Sequence, residues 1–189
     1  MRTTRRIVCL VGPSGVGKTS YAKRLVDKHC FRSPVVITTR QPRSDDGTHY
    51  RYVSESSFMD MIHCGELLEW DRYTSYYYGT SAKSVYDIAD SGGCNRVVLD
   101  LTPNGCIKVI AAEPSAIVIA ILPDDAAWLF DRLKSRNSQS FEEIQVRTNL
   151  LEHYLNEVNS LQCEKVYASF SPDSWDSTFQ AIERIIFRL

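Results

Sequence analysis

The chain has 189 residues, with 22 Lys and Arg against 23 Asp and Glu, a net charge of −1, and 43% hydrophobic residues. That length suits one domain with a substantial core and is short for two. The balanced charge leaves no electrostatic footprint for nucleic acid or for an anionic membrane surface, so any anion binding has to be local. Six cysteines, at 9, 30, 64, 94, 106 and 163, lack the paired short spacing of zinc or redox sites, and several lie in apolar runs. Reduced thiols in a cytoplasmic protein are the expectation. The opening MRTTRRIVCLVG has a basic head but too short an apolar run for a signal-peptide core or a membrane span.

Taken in chain order, apolar runs suited to buried strands recur at 6–11, 34–39, 96–101 and 115–122, with KVYAS (165–169) as a last strand. Helical patterns fill 18–29, 81–91, 104–112, 124–135, 140–160 and 172–188. Ser140 with Glu143 reads as a capping box, and Ser171-Pro172 as a cap residue before a proline at the first helical position. Alternating strand and helix predicts an α/β fold, a parallel sheet with helices on both faces. The segment 48–80 differs: HYRYVS and LLEWDRY are short, aromatic and near-alternating around a helix-like SFMDMIHCG, which reads as a small β-rich insertion.

After the first strand, Gly12-Pro-Ser-Gly-Val-Gly-Lys-Thr19 fits G-x-x-x-x-G-K-[ST] and leads into a helix. Such a loop turns backbone N–H groups inward around phosphates, lets Lys18 reach the terminal phosphates and offers the Thr19 hydroxyl to Mg²⁺. The candidate ATP-binding set is Gly12, Ser14, Gly15, Val16, Gly17, Lys18, Thr19 and Ser20. Asp100, at the end of RVVLD, is the candidate acid that organises Mg²⁺ with Thr19. In PVVITTRQPR (34–43), Arg40 and Arg43 present two planar guanidinium forks on one stiff turn, an arrangement suited to a phosphate.

Together GPSGVGKTS (12–20), TTRQPR (38–43), GTHYRYVS (47–54), GELLEW (65–70), YYYGTS (76–81), VVLDL (97–101) and arginines at 132–147 resemble the guanylate kinase family, in order and spacing, over nearly the whole chain. The resemblance implies a P-loop NTPase core (1–33, 81–130 and 160–189), a nucleoside-monophosphate-binding insertion (34–80) and a helical lid (131–159) within one domain. It implies that Arg40, Arg43, Tyr50 and Tyr78 hold the acceptor phosphate and that Glu69 accepts two hydrogen bonds from the guanine edge. Lys18, Arg40, Arg132, Arg136 and Arg147 then stabilise the transferring phosphoryl group, a step that needs positioning and charge rather than a protein nucleophile.

The resemblance places three further positions where the family reads the base. Where the family usually has a serine that reads the guanine oxygen, this chain has Val36. Where it has a second acidic residue two positions after Asp100, this chain has Thr102. Thr80 keeps the usual hydroxyl. Losing two hydrogen bonds predicts guanine discrimination weaker by roughly ten- to a hundredfold with phosphate capture intact.

The function that follows is phosphoryl transfer from ATP, with Mg²⁺, to GMP, dGMP or a related or modified nucleotide, by a cytoplasmic monomer or homodimer with no nucleic-acid or membrane partner. One alternative is a related kinase of another phosphate monoester such as ribose 1,5-bisphosphate, favoured by Val36 and Thr102 and opposed by Glu69. Another is a non-catalytic guanylate-kinase-like binding module, which the intact P-loop opposes.

Overall fold

The computed structural model describes residues 6–42, 46, 48–73, 75–125, 127–129, 132, 151–169 and 171–188. Its central sheet holds β1 (Arg6–Val11), β2 (Phe31–Arg32), β7 (Arg96–Leu101), β8 (Ile117–Pro123) and β9 (Glu164–Ala168), in the order β2-β7-β1-β8-β9. Every pairing in it is parallel.

Alternation along β1 explains why both faces of this sheet are covered. Val8 and Leu10 point into one buried cluster, with Tyr21 and Leu25 of α1 (Lys18–His29) and Phe179 and Ile182 of a C-terminal helix at Pro172–Phe187. Ile7, Cys9 and Val11 point into the other. There they meet Val85 and Ile88 of α3 (Ala82–Ala89), Cys106 and Val109 of α4 (Pro103–Ala112), and Val158 of α5 (Leu151–Ser160). A strand apolar at every position is what a sheet sandwiched between helices requires.

The helix starts follow side-chain chemistry. Ser81 caps α3 by accepting from the Ser84 N–H at 3.3 Å, and Thr102 caps α4 by accepting from the Gly105 N–H at 3.1 Å. Ser171 caps the last helix, α6 (Pro172–Phe187), as its Ser-Pro pair predicts. The Ser140–Glu143 capping box lies outside the described residues.

The run at 34–39 supplies no strand to the central sheet. It forms β3 (Val36–Thr38) in a second, four-stranded sheet ordered β4-β3-β6-β5, with β4 (Tyr50–Tyr52), β5 (Leu67–Tyr73) and β6 (Tyr76–Ser81). β3 runs parallel to β4 and antiparallel to β6. One face of this sheet is apolar: Ile37, with Trp70 and Tyr77, packs on Phe58 and Met61 of α2 (Glu55–His63). The opposite face is polar and turns towards the site.

Val158 of α5, within the stretch expected as lid, is buried in the core, with Tyr154 and Leu155 packed against the same cluster. Cys30 and Cys94 are bonded, with Cα atoms 5.2 Å apart, joining the end of α1 to the turn before β7, which departs from the expectation of six reduced thiols.

Candidate active site

β1 ends at Val11, and the chain must then turn sharply against β8. A Cβ at Gly12 would lie 2.2 Å from the Ile121 carbonyl oxygen, so only glycine fits. Gly15 (φ 91°) and Gly17 (φ 101°) follow in the left-handed region before α1 begins. We expect Gly12→Ala to be destabilised by about 1–3 kcal/mol, since the obstacle is backbone, and to lose the rise in melting temperature that ATP gives the parent. Thermal melts with and without ATP measure both effects.

Lys18 folds back over this loop, its Nζ donating to the Gly12 carbonyl at 2.8 Å and the Pro13 carbonyl at 3.2 Å. The same Nζ stands 3.6 Å from Asp100 Oδ1, while the Thr19 hydroxyl donates to Asp100 Oδ2 at 2.9 Å. Parallel register explains the convergence: Asp100 pairs with Leu10, placing its carboxylate beside the end of β1 where the loop departs. Of the other predicted donor-side residues, Val16 is buried in the core, so its contribution to the loop is its backbone, and Ser20 is exposed.

The polar face of the second sheet is built in rows. Register aligns Tyr50, Val36, Thr80 and Glu69 across four strands, and Tyr52, Thr38, Tyr78 and Asp71 in the next row. Val36 therefore faces the site between Tyr50 and Thr80.

Arg40 follows β3 and is 6% exposed. Its guanidinium forms a two-point ion pair with Asp46, one arm at 2.7 Å, and lies 4.9 Å from the Tyr50 ring centroid. The Asp46 carboxylate also accepts from the Tyr52 hydroxyl. That hydrogen-bonded pair raises the Arg40 pKa, so the guanidinium is charged at every working pH. Burial pushes the Tyr50 phenol up to about 12, with Asp100 adding to the rise and Arg40 opposing it. Tyr50 is thus a neutral hydrogen-bond donor that lies within the field of both clusters. Tyr78 lies near enough to Arg40 to couple to it electrostatically.

Glu69 is 5% exposed and accepts from the Thr80 hydroxyl at 2.5 Å. Burial pushes its carboxyl up to about 7, against the opposing effects of the Thr80 bond and the Lys108 charge. The other oxygen faces α4, where a Cβ on Gly105 would meet it at 2.7 Å.

Thr102 lies beside this carboxylate but bonds to another, donating to Asp71 Oδ2 at 2.6 Å, while Asn104 donates to Asp71 Oδ1 at 3.1 Å. Arg132 acts through its charge on Tyr21 of α1. Arg43, Arg136 and Arg147 lie outside the described residues.

The sequence matches the guanylate kinase family model over residues 4–188. The chain belongs to the guanylate kinase family. It is 36% identical over 156 residues to the guanylate kinase of Caldanaerobacter subterraneus, covering 81% of this chain and 75% of that one. It is 32% identical over 187 residues to the guanylate kinase of Trichodesmium erythraeum, covering 97% of each. Its fold superposes on the crystal structure of guanylate kinase from Anaplasma phagocytophilum with a TM-score of 0.69, at 19% identity, covering 100% of this chain and 87% of that one. The parallel core and mixed second sheet are those expected of a guanylate kinase.

Residues outside the sequence reading also shape this guanylate kinase site. The hydroxyl of the half-buried Tyr154 on α5 accepts from the Gly12 N–H at 3.3 Å. Trp175 on α6 stacks on Tyr21 with ring centroids 4.0 Å apart and closes over Gly17, where a Cβ would lie 2.8 Å from the indole ring. Both act from helices over 130 residues away, with no local motif to mark them. Asp71 did carry a usable signal, since it alternates with Glu69 on one strand and shares its face.

Proposed function

We propose that the protein transfers the γ-phosphoryl group of ATP to the 5′-phosphate of GMP or dGMP, giving the diphosphate. The observation that carries this reading is the meeting of two clusters. Lys18, Thr19 and Asp100 form a donor-phosphate end, and the buried Arg40 with the half-buried Tyr50, the latter within the field of Asp100, form an acceptor-phosphate end. Glu69 then sits where a base attached to that acceptor would lie, beside Thr80 and in line with Tyr50.

Each group has a defined task. Arg40, held charged, offers a planar fork to a phosphate dianion. The Asp46 carboxylate now fills that fork, standing in for the two phosphate oxygens that would replace it. Neutral Tyr50 and Tyr78 donate hydrogen bonds. Lys18, with Arg132, Arg136 and Arg147 from the lid, opposes the charge that spreads over the transferring oxygens.

A hydroxyl and a carboxylate meeting at the P-loop suit Mg²⁺, which takes few protein ligands and completes its shell with phosphate oxygens and water. Thr19 and Asp100 would hold it, and it would neutralise charge on the donor phosphates. Arg43 is assigned to the acceptor phosphate beside Arg40. A donor site for ATP suits the cytoplasm, and among the described residues no helix is long and apolar enough to cross a membrane.

Val36, apolar on the base-facing side, favours a second reading in which the acceptor is a sugar phosphate such as ribose 1,5-bisphosphate. ADP release from Mg-ATP across ribo- and deoxynucleoside monophosphates and this bisphosphate separates the two. We expect turnover with GMP and dGMP. Turnover confined to the bisphosphate, or none with any acceptor, would falsify the first reading.

A further inference from the structure

We propose that Asp71 determines base specificity, accepting a hydrogen bond from the exocyclic amino group of a guanine acceptor in place of the acid absent at position 102. The proposal rests on the kinase reading above.

Register places Asp71 two residues after Glu69 on the same face of β5, opposite Tyr78. It is half-buried and lines a cavity of about 410 Å³ together with Tyr73, Thr102, Ile107 and Tyr154. Thr102 and Asn104, at the first turn of α4, each donate one hydrogen bond to it, to different oxygens. The Arg72 backbone N–H also donates to Oδ1, at 2.9 Å. Together these bonds fix the carboxylate's orientation and leave Oδ2 a lone pair for the ligand, since a carboxylate offers about four acceptor sites.

The two hydroxyls next to the acids, Thr80 and Thr102, both direct their protons at carboxylates. This part of the face therefore presents acceptors and suits a base edge made of adjacent donors. Guanine has such an edge, with a ring N–H and the 2-amino group, whereas adenine places an acceptor at the ring nitrogen. Glu69 suits the ring N–H and one proton of the 2-amino group, and Asp71 suits the other. Thr102 thus holds the acid that supplies the contact.

Two consequences follow. The hypoxanthine of IMP keeps the ring N–H and lacks the 2-amino group, so Asp71 matters for GMP and not for IMP. Introducing Thr102→Asp alone sets a second carboxylate against Asp71, and like charges at that range repel, so it weakens GMP capture. Aspartate is a good helix cap, so α4 tolerates the change.

The test measures kcat/KM for GMP and for IMP in the parent, in Asp71→Asn, and in Asp71→Ala combined with Thr102→Asp. Asp71→Asn keeps the shape and a partner for Thr102. We expect its GMP-to-IMP ratio to fall about ten- to a hundredfold, the range for a hydrogen bond to a charged group, with IMP turnover within twofold. The double variant moves the acid across the hydrogen bond and restores most of the ratio. A ratio that stays constant, whether both substrates are unaffected or both decline together, makes Asp71 a structural tie between β5 and α4 and overturns the proposal. Parent protein inactive on both nucleotides refutes the kinase reading itself, a separate outcome.

Discussion

Lys18→Met is expected to lower kcat about 10²- to 10³-fold, the range for removing one preorganised charge donor from a transition state. The ammonium is already within 3.6 Å of Asp100 and tied to two loop carbonyls, so its position needs no assembly when substrate arrives. Its interaction with phosphate oxygens grows as charge moves onto them. The loss should therefore appear equally in kcat and kcat/KM, with the KM for ATP changed much less. The fold should survive, because the side chain lies at the edge of the core and water can take its place on the Gly12 and Pro13 carbonyls. Circular dichroism and steady-state rates on the same preparation check both halves. A variant with unchanged kcat would remove Lys18 from the reaction.

Replacing Glu69 with glutamine should act in opposite directions on stability and on substrate capture. The folded carboxyl has a pKa of about 7 against an ordinary 4.5, because burial disfavours its charge. A raised folded pKa means that the native state holds the proton more tightly than the unfolded chain. The side chain's contribution is therefore full below about 4.5 and is lost as pH rises through 7. Above that pH the parent carries a penalty of about 3 kcal/mol, from the size of the shift.

Glutamine keeps an oxygen for the Thr80 hydroxyl and never ionises. Glu69→Gln should thus melt roughly 5–10 °C higher than the parent at pH 8.5, for a chain of this size. The gap should close towards pH 4.5. The same change puts an amide N–H against the donors of guanine, and the KM for GMP should rise about a hundredfold. In the parent, the KM for GMP should rise as pH falls below about 7, because the carboxyl must lose its proton to accept two hydrogen bonds. Equal melting temperatures at high pH would show that ionised Glu69 carries no burial penalty, and so that its folded pKa is not raised.

The contrast between Lys18 and Asp71 shows how legible this molecule is in its sequence. Lys18 belongs to a contiguous motif in which glycine spacing, a preceding apolar strand and a following helix all carry information. Such local patterns also identify the parallel core and the capped helices. The run at 34–39 has the composition of a core strand, yet apolar β-branched character says only that a strand is buried on one face, not which sheet it joins. Its three residues Val36–Thr38 pair with Tyr50–Tyr52 and Tyr76–Ser81, segments whose partnership depends on tertiary register.

Thr102 is the sharpest case. Read alone it is a lost acid; in the structure it caps α4 and positions a different acid, Asp71. Tyr154 and Asp46 acquire their meaning only from contacts, one on the P-loop amide and one in the guanidinium fork of Arg40. No spacing rule connects a tyrosine to a glycine 142 positions earlier.

Phosphoryl transfer is tested most directly by following the phosphorus itself. Purified protein is incubated with Mg-ATP and GMP, and ³¹P NMR reports whether the γ-phosphoryl group arrives on the 5′-phosphate. Transfer to the acceptor gives GDP and ADP in equal amounts, with no inorganic phosphate beyond that seen without GMP. ADP accompanied by inorganic phosphate and no GDP would contradict it, because the Arg40 and Glu69 clusters would then not form an acceptor site.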